Sequence, residues 1–336
     1  VKKLAEYVEN RDEVSCSGLF LSARWMVVSQ LDVLGIQLIV LPDRDSAEYC
    51  AADLYHLIEG DRVYFLPDSG KNLERSNYKS SLGVQRTSAI GKILEYREGE
   101  QMIVVTYPSA LEEIIPEKGK ISGSLLKLVV GEERSYEEIK EILFSSGFER
   151  VDFVSEPGQF AVRGALIDIF SYSFNNPFRI SFFGDEIESI NIFDANTQLS
   201  KEKVDYVDIY PDLSSSEDGE GSMVTDILPE DTLVWLDSSD MYKDKSFFPE
   251  LKKFRNIYME LPLSRQDEDA VRFNISPQPV FSKNFELLTE DIRNKIENGF
   301  RVRIYGEKQS QLERLKSILS QNGGIFPEFV SGSNIH

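Results

Sequence analysis

The sequence predicts an α/β protein in which two separate segments encode a parallel-sheet layer, with an α+β domain inserted between them. Residues 1–120 alternate helical patterns with short apolar runs such as QLIVL at 37–41 and MIVVT at 102–106. Strands that are apolar on both faces are typical of a parallel sheet covered by helices on both sides. Closely spaced strands replace this alternation from about residue 150 to residue 208, and the alternation returns after residue 226.

The first segment, residues 1–124, is expected to contain buried strands joined by helices. Apolar side chains at helical spacing predict the helices, and continuous apolar runs that end at Pro or at charged residues predict the strands. Asp45 is expected to cap one of the helices. The predicted helices cover 2–10, 19–34, 45–59 and 84–96, with a short helix from 108, and the strands cover 37–41, 62–66 and 102–106.

The inserted domain is predicted at residues 125–209. It should contain a strand at 125–130, a helix at 136–146 closed by Gly147, and a β meander at 150–208. Residues 210–225, which include SSSEDGEGS, are expected to be an acidic linker or a long loop. Residues 226–336 then complete the layer, with strands at 232–236, 256–261 and 301–305 and helices at 284–298 and 310–320.

The chain is strongly acidic, with 57 Asp and Glu against 37 Lys and Arg and a formal net charge of −20. Because binding to a phosphate backbone relies on clustered basic side chains, this charge disfavours nucleic acid as a direct partner. Cys16 and Cys50 are expected to be reduced core residues. The sequence shows no signal peptide and no apolar run long enough to span a membrane, so we expect a cytoplasmic location.

Nucleotide binding is the first activity to test in a parallel-sheet layer, because a glycine-rich loop between a strand and a helix can hold phosphates. The corresponding segment here is GLFLSAR at 18–24, and its candidate residues for a degenerate nucleotide loop are Gly18, Ser22 and Arg24. It has one glycine and lacks the Gly-Lys-Ser/Thr ending. The fragment DSGKN at 68–72 lacks the upstream glycine, and Asn72 replaces the hydroxyl that binds Mg²⁺. ATP hydrolysis is therefore not expected.

Other catalytic groups are sparse. With only His56 and His336 in the chain, imidazole catalysis or a zinc site is difficult to build. Acidic residues of the meander could form a metal-dependent nuclease site, although acidic side chains at strand ends are usually just solvated. These residues are Asp168, Asp185, Glu186, Glu188 and Asp194.

One face of the predicted meander combines two arginines with a phenylalanine. Between residues 151 and 200 the only basic side chains are Arg163 and Arg179. In the strand FRISFF, alternation places Arg179 and Phe183 on the same face, about 13 Å apart. Exposed Arg and Phe are typical of protein-recognition surfaces. The alternative, in which Phe183 fills a small core and the arginines pair with nearby carboxylates, fits the pattern equally well.

The runs GQFAVRGALIDIF at 158–170 and NPFRISFFGDEIESINIFDANTQLS at 176–200 resemble the inserted domain shared by the excision-repair protein UvrB and the transcription-repair coupling factors (Mfd). Flanking segments resemble the same proteins more loosely. The resemblance implies a degenerate helicase-like layer, with domain 1a at 1–124, domain 2 at 125–209 and domain 1b at 226–336. The coupling factors fit better than UvrB, because neither a working ATP-binding loop nor a Tyr-rich DNA-probing hairpin is present.

The resemblance implies that domain 2 recruits the damage-recognition ATPase UvrA through Arg163, Arg179 and Phe183. It also implies that the C-terminal domain of the same protein covers this surface. RNA polymerase, DNA, ATP and Mg²⁺ would be bound by domains that this chain lacks, so the chain would need no cofactor of its own. We therefore expect a non-catalytic N-terminal module; the alternative is a UvrB-like nucleotide-binding or DNA-binding repair module.

Overall fold

A computed structural model describes residues 1–19, 22–70, 76–117, 119, 121, 125–174, 176–216, 221–237, 240–259, 270–276, 278–306, 308–321 and 327–331. The chain divides into two compact units, Val1–Ile275 and Ser276–His336. None of the helices within the described ranges combines the length and the apolarity that crossing a bilayer requires.

The first unit contains the layer and the inserted domain. Its helices are α1 (Lys2–Asn10), α2 (Ala23–Ser29), α3 (Arg44–Leu57), α4 (Ser76–Glu95), α5 (Pro108–Glu112), α6 (Tyr136–Ser145) and α7 (Phe248–Leu251). Its strands are β1 (Glu13–Ser17), β2 (Gly35–Val40), β3 (Val63–Phe65), β4 (Gln101–Thr106), β5 (Leu126–Val129), β6 (Glu149–Arg150), β7 (Gln159–Arg163), β8 (Leu166–Phe170), β9 (Phe178–Phe183), β10 (Glu186–Phe193), β11 (Ser200–Val204), β12 (Tyr206–Ile209), β13 (Leu233–Leu236), β14 (Arg255–Tyr258) and β15 (Val271–Arg272).

A seven-stranded sheet forms the layer, in the order β15-β1-β14-β13-β2-β4-β3. Every neighbouring pair in it is parallel. Strands β2 and β13 come from the two sides of the inserted domain, yet they are adjacent, and Val40 pairs with Leu236. The predicted α/β layer built from two segments is therefore confirmed, but the strand predicted at 301–305 is not one of its strands.

Two apolar cores cover the two faces of the layer, which explains why its strands read as uninterrupted apolar runs. Along β2, Leu38 and Val40 enter one core, whereas Ile39 enters the other. Each buried aliphatic side chain of this size contributes about 1.5–3 kcal/mol to stability. Cys16 and Cys50 are buried free thiols in one of these cores, and burial raises the pKa of the Cys16 thiol to about 12.

Three predictions for the first segment are wrong, and one of them is the helix expected at 84–96, because α4 begins at Ser76. The expected helix at 19–34 is shorter, because α2 spans only Ala23–Ser29. Strand β1 precedes it and was not predicted, since its burial alternates along five residues instead of forming an apolar run. The cap of α3 is Asp43 and not Asp45: the Asp43 carboxylate accepts a hydrogen bond from the Ser46 amide at 2.8 Å.

The inserted domain is built on a six-stranded meander sheet, in the order β11-β10-β9-β8-β7-β6. Its strands are antiparallel except for β6 and β7, which pair in parallel. Strand β12, expected to continue the meander, pairs with β5 in a separate two-stranded sheet instead. The inner face of the meander sheet carries Phe160 and Ile180, which share one core with Leu143 of α6 and Leu128 of β5. The opposite face, which carries Arg163, Asp168 and Arg179, is the outer face.

A fully buried arginine fixes the segment that leaves the inserted domain. Arg86 of α4 donates to the carbonyl oxygens of Ser214 at 2.7 Å, Pro67 at 2.8 Å and Ala110 at 2.9 Å. Burial lowers the pKa of the Arg86 guanidinium, and nearby carboxylates oppose this shift. The segment before residue 217 is therefore packed against the layer, while 217–220 of the expected linker lie outside the described residues. The division into domains 1a, 2 and 1b stays a prediction.

The second unit contains α8 (Phe285–Glu297), β16 (Arg303–Gly306), α9 (Gln309–Gln321) and β17 (Glu328–Ser331). Strands β16 and β17 pair in parallel, with Ile304 opposite Phe329. Asn284 caps α8, because its side chain accepts a hydrogen bond from the Leu287 amide at 3.0 Å. Leu319 of α9 is fully buried.

Candidate functional site

The two arginines and the phenylalanine selected from the sequence lie on the outer face of the meander sheet. Arg163, the last residue of β7, pairs with Leu166, which pairs in turn with Ser181. Because Ser181 lies midway between Arg179 and Phe183 on β9, the three side chains follow one another along the strands in the order Arg179, Arg163, Phe183. The whole set spans about 13 Å in that direction.

A buried carboxylate joins the two arginines. Asp168 lies directly opposite Arg179 in the β8–β9 ladder, and its side chain is 1% exposed. The Arg179 Nε donates to Asp168 Oδ1 at 2.7 Å and its Nη2 donates to Oδ2 at 2.9 Å, while Arg163 Nη2 donates to Oδ2 as well. The hydrogen bonds between Arg179 and Asp168 raise the pKa of the Arg179 guanidinium. Because two guanidinium groups share one carboxylate, the cluster keeps a net positive charge.

Each guanidinium also lies over an aromatic ring. Arg179 is 4.4 Å from the ring centre of the buried Phe193 and donates to Gln198 Oε1 at 3.3 Å. Arg163 is 4.9 Å from the ring centre of Phe153. The side chains of Arg163 and Arg179 remain 34% and 20% exposed. The two charges are therefore fixed in position but still accessible from solvent.

Phe183 projects into solvent at the end of β9. Its side chain is 78% exposed. The next residue, Gly184, has a φ of +64° and begins the tight turn in which Phe183 pairs with Glu186. The alternative in which Phe183 fills a small core is wrong, whereas the pairing of both arginines with a carboxylate, Asp168, is present. A role for these three residues in binding a partner stays a prediction.

The outer face is less solvated than strand alternation indicates. A small core covers part of it and contains Val154, Ala161, Phe170 and Phe193. Ala161, which pairs with Asp168 on this face, is 1% exposed. This core holds the chain segment between β6 and β7 against the sheet, and that segment carries Phe153, which sequence reasoning missed. The available signal was the pattern V-D-F-V at 151–154, in which a large aromatic lies between two valines.

In the degenerate nucleotide loop, another segment of the chain lies directly against Gly18. Gly18 has a φ of +77°, and a Cβ at this position would lie 2.0 Å from the carbonyl oxygen of Phe273. The Phe273 amide donates to the Ser17 carbonyl at 2.8 Å, so Phe273 continues the pairing of β15 with β1. Arg24 forms an ion pair with Asp237, just after β13. The close approach of Phe273 therefore explains why a glycine is needed at position 18. Ser22 precedes α2 and forms no side-chain capping hydrogen bond. Residues 20–21 lie outside the described residues.

The second fragment that imitates a phosphate-binding loop is also bonded internally. The Ser69 amide and hydroxyl each donate to the Glu113 carboxylate at 2.6 Å. Asp68 accepts from the Gly70 amide at 3.0 Å and from the Ser109 hydroxyl at 3.0 Å. Lys71 and Asn72, which complete the fragment, lie outside the described residues, as does His336.

The acidic residues of the meander do not converge. Asp168 is engaged by the two arginines, and Asp194 closes a turn by accepting from the Asn196 amide at 3.0 Å and the Thr197 amide at 2.9 Å. Together with Lys201 these bonds lower the pKa of the Asp194 carboxyl to about 2. In the ranges that the structure describes, no three His, Cys, Asp or Glu side chains are grouped so that they could hold a metal ion.

Comparison with known proteins places this surface in a recognised domain. Residues 126–214 match the family model of the UvrB interaction domain. The chain is 31% identical over 166 residues to the transcription-repair-coupling factor of Bacillus subtilis, covering 49% of this chain and 14% of that protein. It is 30% identical over 191 residues to the transcription-repair-coupling factor of Mycobacterium tuberculosis, covering 55% and 15%. The resemblance inferred from the motifs is confirmed, and the match spans about a seventh of these relatives' length.

Proposed function

We propose that this chain, which resembles transcription-repair coupling factors and contains a UvrB interaction domain, is a non-catalytic module that recruits UvrA through the outer face of its meander sheet. The observation that carries the proposal is the exposed Phe183 beside Arg163 and Arg179, whose guanidinium groups are held by the buried Asp168. The name of the matched domain supports a partner from the excision-repair system.

The geometry suits a partner that offers carboxylates next to an apolar pocket. The cluster of Arg163, Arg179 and Asp168 retains positive charge, so a carboxylate of UvrA can accept charge-assisted hydrogen bonds from it. The arginines are already oriented, and less side-chain entropy is lost when they bind. Phe183 then supplies an apolar anchor, and anchors of this kind dominate binding energies at protein interfaces.

Binding of purified UvrA to the 336-residue chain tests this proposal. We expect Arg179→Ala and Phe183→Ala each to weaken binding by about 2 kcal/mol or more, which is roughly 30-fold in Kd. Tyr49→Ala is the control, because Tyr49 is 76% exposed and belongs to α3 of the layer, not to the inserted domain. Unchanged binding of both outer-face variants, with thermal unfolding like that of the original chain, would show that the assigned surface is wrong.

The proposal extends to partners outside this chain. A C-terminal domain of the same protein would cover the outer face until it is displaced, and RNA polymerase and DNA would be bound by a translocase motor that uses ATP and Mg²⁺. The full-length protein would act in the cytoplasm. Adding a separately purified C-terminal domain should then compete with UvrA for the chain, and Phe183→Ala should weaken both interactions.

A further inference from the structure

We propose that Phe153 is a further contact residue of the UvrA-binding surface, and that the partner places there a carboxylate flanked by an apolar side chain. This inference rests on the proposed function, because it extends the same surface from the meander strands onto the segment between β6 and β7. Neither the resemblance nor the matched domain assigns a role to this segment.

The segment between β6 and β7 presents Phe153 to solvent while its neighbours hold it in place. Val154 is 1% exposed in the small outer-face core, and Val151 packs against the same core. Phe153 between them is 62% exposed. The exposed ring of Phe153 leaves apolar surface in contact with water, and burial of that surface against a partner favours binding.

Hydrogen bonds restrain the rest of this segment. The Gln159 Oε1 accepts from the Ser155 amide at 2.9 Å, the Ser155 hydroxyl at 3.2 Å and the Glu156 amide at 3.1 Å. This segment is held by the packing of Val151 and Val154 and by the hydrogen bonds to Gln159. It therefore loses little conformational entropy when a partner binds. The aromatic ring is therefore preorganised as a contact.

Arg163 connects this ring to the rest of the surface. Its guanidinium donates to Asp168 and lies 4.9 Å from the ring centre of Phe153, while the side chain stays 34% exposed. The carboxylate contacts one edge of the Arg163 guanidinium and the ring contacts one of its faces. The remaining N–H groups of the guanidinium can therefore donate hydrogen bonds to an acceptor on the partner. Since the cluster is positive overall, the complementary group is a carboxylate, and the ring beside it suits an apolar neighbour.

A matched control lies on the other side of the same domain. Tyr206 of β12 is 59% exposed, and the Lys127 ammonium lies 5.7 Å from its ring centre. Strand β12 belongs to the sheet that packs on the inner face, so Tyr206 reproduces the exposure and the cation contact of Phe153 away from the outer face. A loss specific to Phe153→Ala cannot then be attributed to removal of any exposed aromatic.

The test is UvrA binding by the 336-residue chain and its variants, with thermal unfolding measured in parallel. We expect Phe153→Ala to raise Kd about tenfold or more and Tyr206→Ala to leave it unchanged, both with near-original unfolding temperatures. Phe153→Glu should weaken binding further, because its carboxylate would compete for Arg163. The double variant Phe153→Ala/Arg163→Ala should raise Kd by less than the product of the fold-increases of the two single variants, because the two side chains contact each other.

The outcomes separate this inference from the proposed function. If Arg179→Ala and Phe183→Ala weaken binding while Phe153→Ala and Phe153→Glu do not, Phe153 is not a contact and the proposed function stands. If none of these variants changes binding, or the original chain does not bind UvrA, both are overturned. Should Phe153→Ala lower the unfolding temperature, Phe153→Leu, which keeps apolar volume without the ring face, provides the decisive Kd.

Discussion

Arg179 and Asp168 face each other across the β8–β9 ladder and form a two-point ion pair, with N–O distances of 2.7 and 2.9 Å. A carboxylate that is 1% exposed has lost most of its hydration, and this cost is offset only if partners satisfy it. Arg163 supplies the second partner. The charged part of the proposed binding surface is thus also a part of the packed sheet.

Removing Asp168 should destabilise the inserted domain. Asp168→Ala would leave Arg163 and Arg179 half-buried without their shared acceptor, and we expect the free energy of unfolding to fall by about 3 kcal/mol. Glu137→Ala, which breaks an exposed pair with Lys140, should change it by less than about 0.5 kcal/mol. Urea unfolding of both variants measures the difference. Equal effects would contradict the structural importance assigned to the buried carboxylate.

Gly18, in the degenerate nucleotide loop, and Gly99 provide a matched pair of glycines. Both have positive φ, +77° and +94°, so alanine should introduce backbone strain of about 1 kcal/mol at either position. At Gly18 the Cβ of alanine would collide with the backbone carbonyl of Phe273. At Gly99 no atom lies within 4 Å of the position that the Cβ would take. We expect Gly18→Ala to cost at least ~1 kcal/mol more in chemical unfolding. Similar costs would mean that Phe273 does not constrain the loop.

The chain should not bind ATP. Phe273 occupies the space beside Gly18, and Arg24, the basic residue of the loop, is already paired with Asp237. Titration with ATP and Mg²⁺ in a calorimeter should give only dilution heats, and the unfolding temperature should not change. A saturable isotherm that Arg24→Ala abolishes would instead favour the nucleotide-binding alternative.

The Asp194 carboxyl should titrate at unusually low pH. Its pKa is lowered to about 2 from an ordinary 3.8, first by the hydrogen bond from Lys201 and then by backbone amides. A pKa below the unfolded value stabilises the folded state above pH 3.8, and this contribution is lost as pH falls towards about 2. Lys201→Ala should raise the pKa, whereas Lys203→Ala should not. Carboxyl ¹³C shifts followed by NMR measure both, and an unmoved value in Lys201→Ala would refute the assignment.

Sequence patterns were sufficient where local periodicity and burial agree. Strand β2 is buried on both faces and reads as an apolar run, and the alternation in FRISFF correctly separates Phe182 from Arg179 and Phe183. Strand β1 was missed because only Val14 and Cys16 of its five residues are buried. Five residues of mixed polarity carry too weak a signal for either helix or strand.

The composition of the outer face depended on tertiary structure. Asp168 contacts both arginines because three strands share one register, and no pattern within a single strand encodes that register. Phe153 lies beside Arg163 because two valines anchor its segment on a second, small core. Such contacts follow from how separate parts of the chain pack, which periodicity cannot report.

The adjacency of β2 and β13 has a consequence for synthesis on the ribosome. Strand β2 is synthesised before the inserted domain, whereas its neighbour at Leu233–Leu236 follows only after the whole inserted domain has been made. Each strand of the meander sheet pairs with the strands next to it in sequence, so this sheet can fold before β13 has been made. During that time one edge of β2 lacks its partner strand. Open strand edges pair readily with other chains. A nascent chain stalled between the two segments would therefore expose this edge of β2 to pairing with other chains.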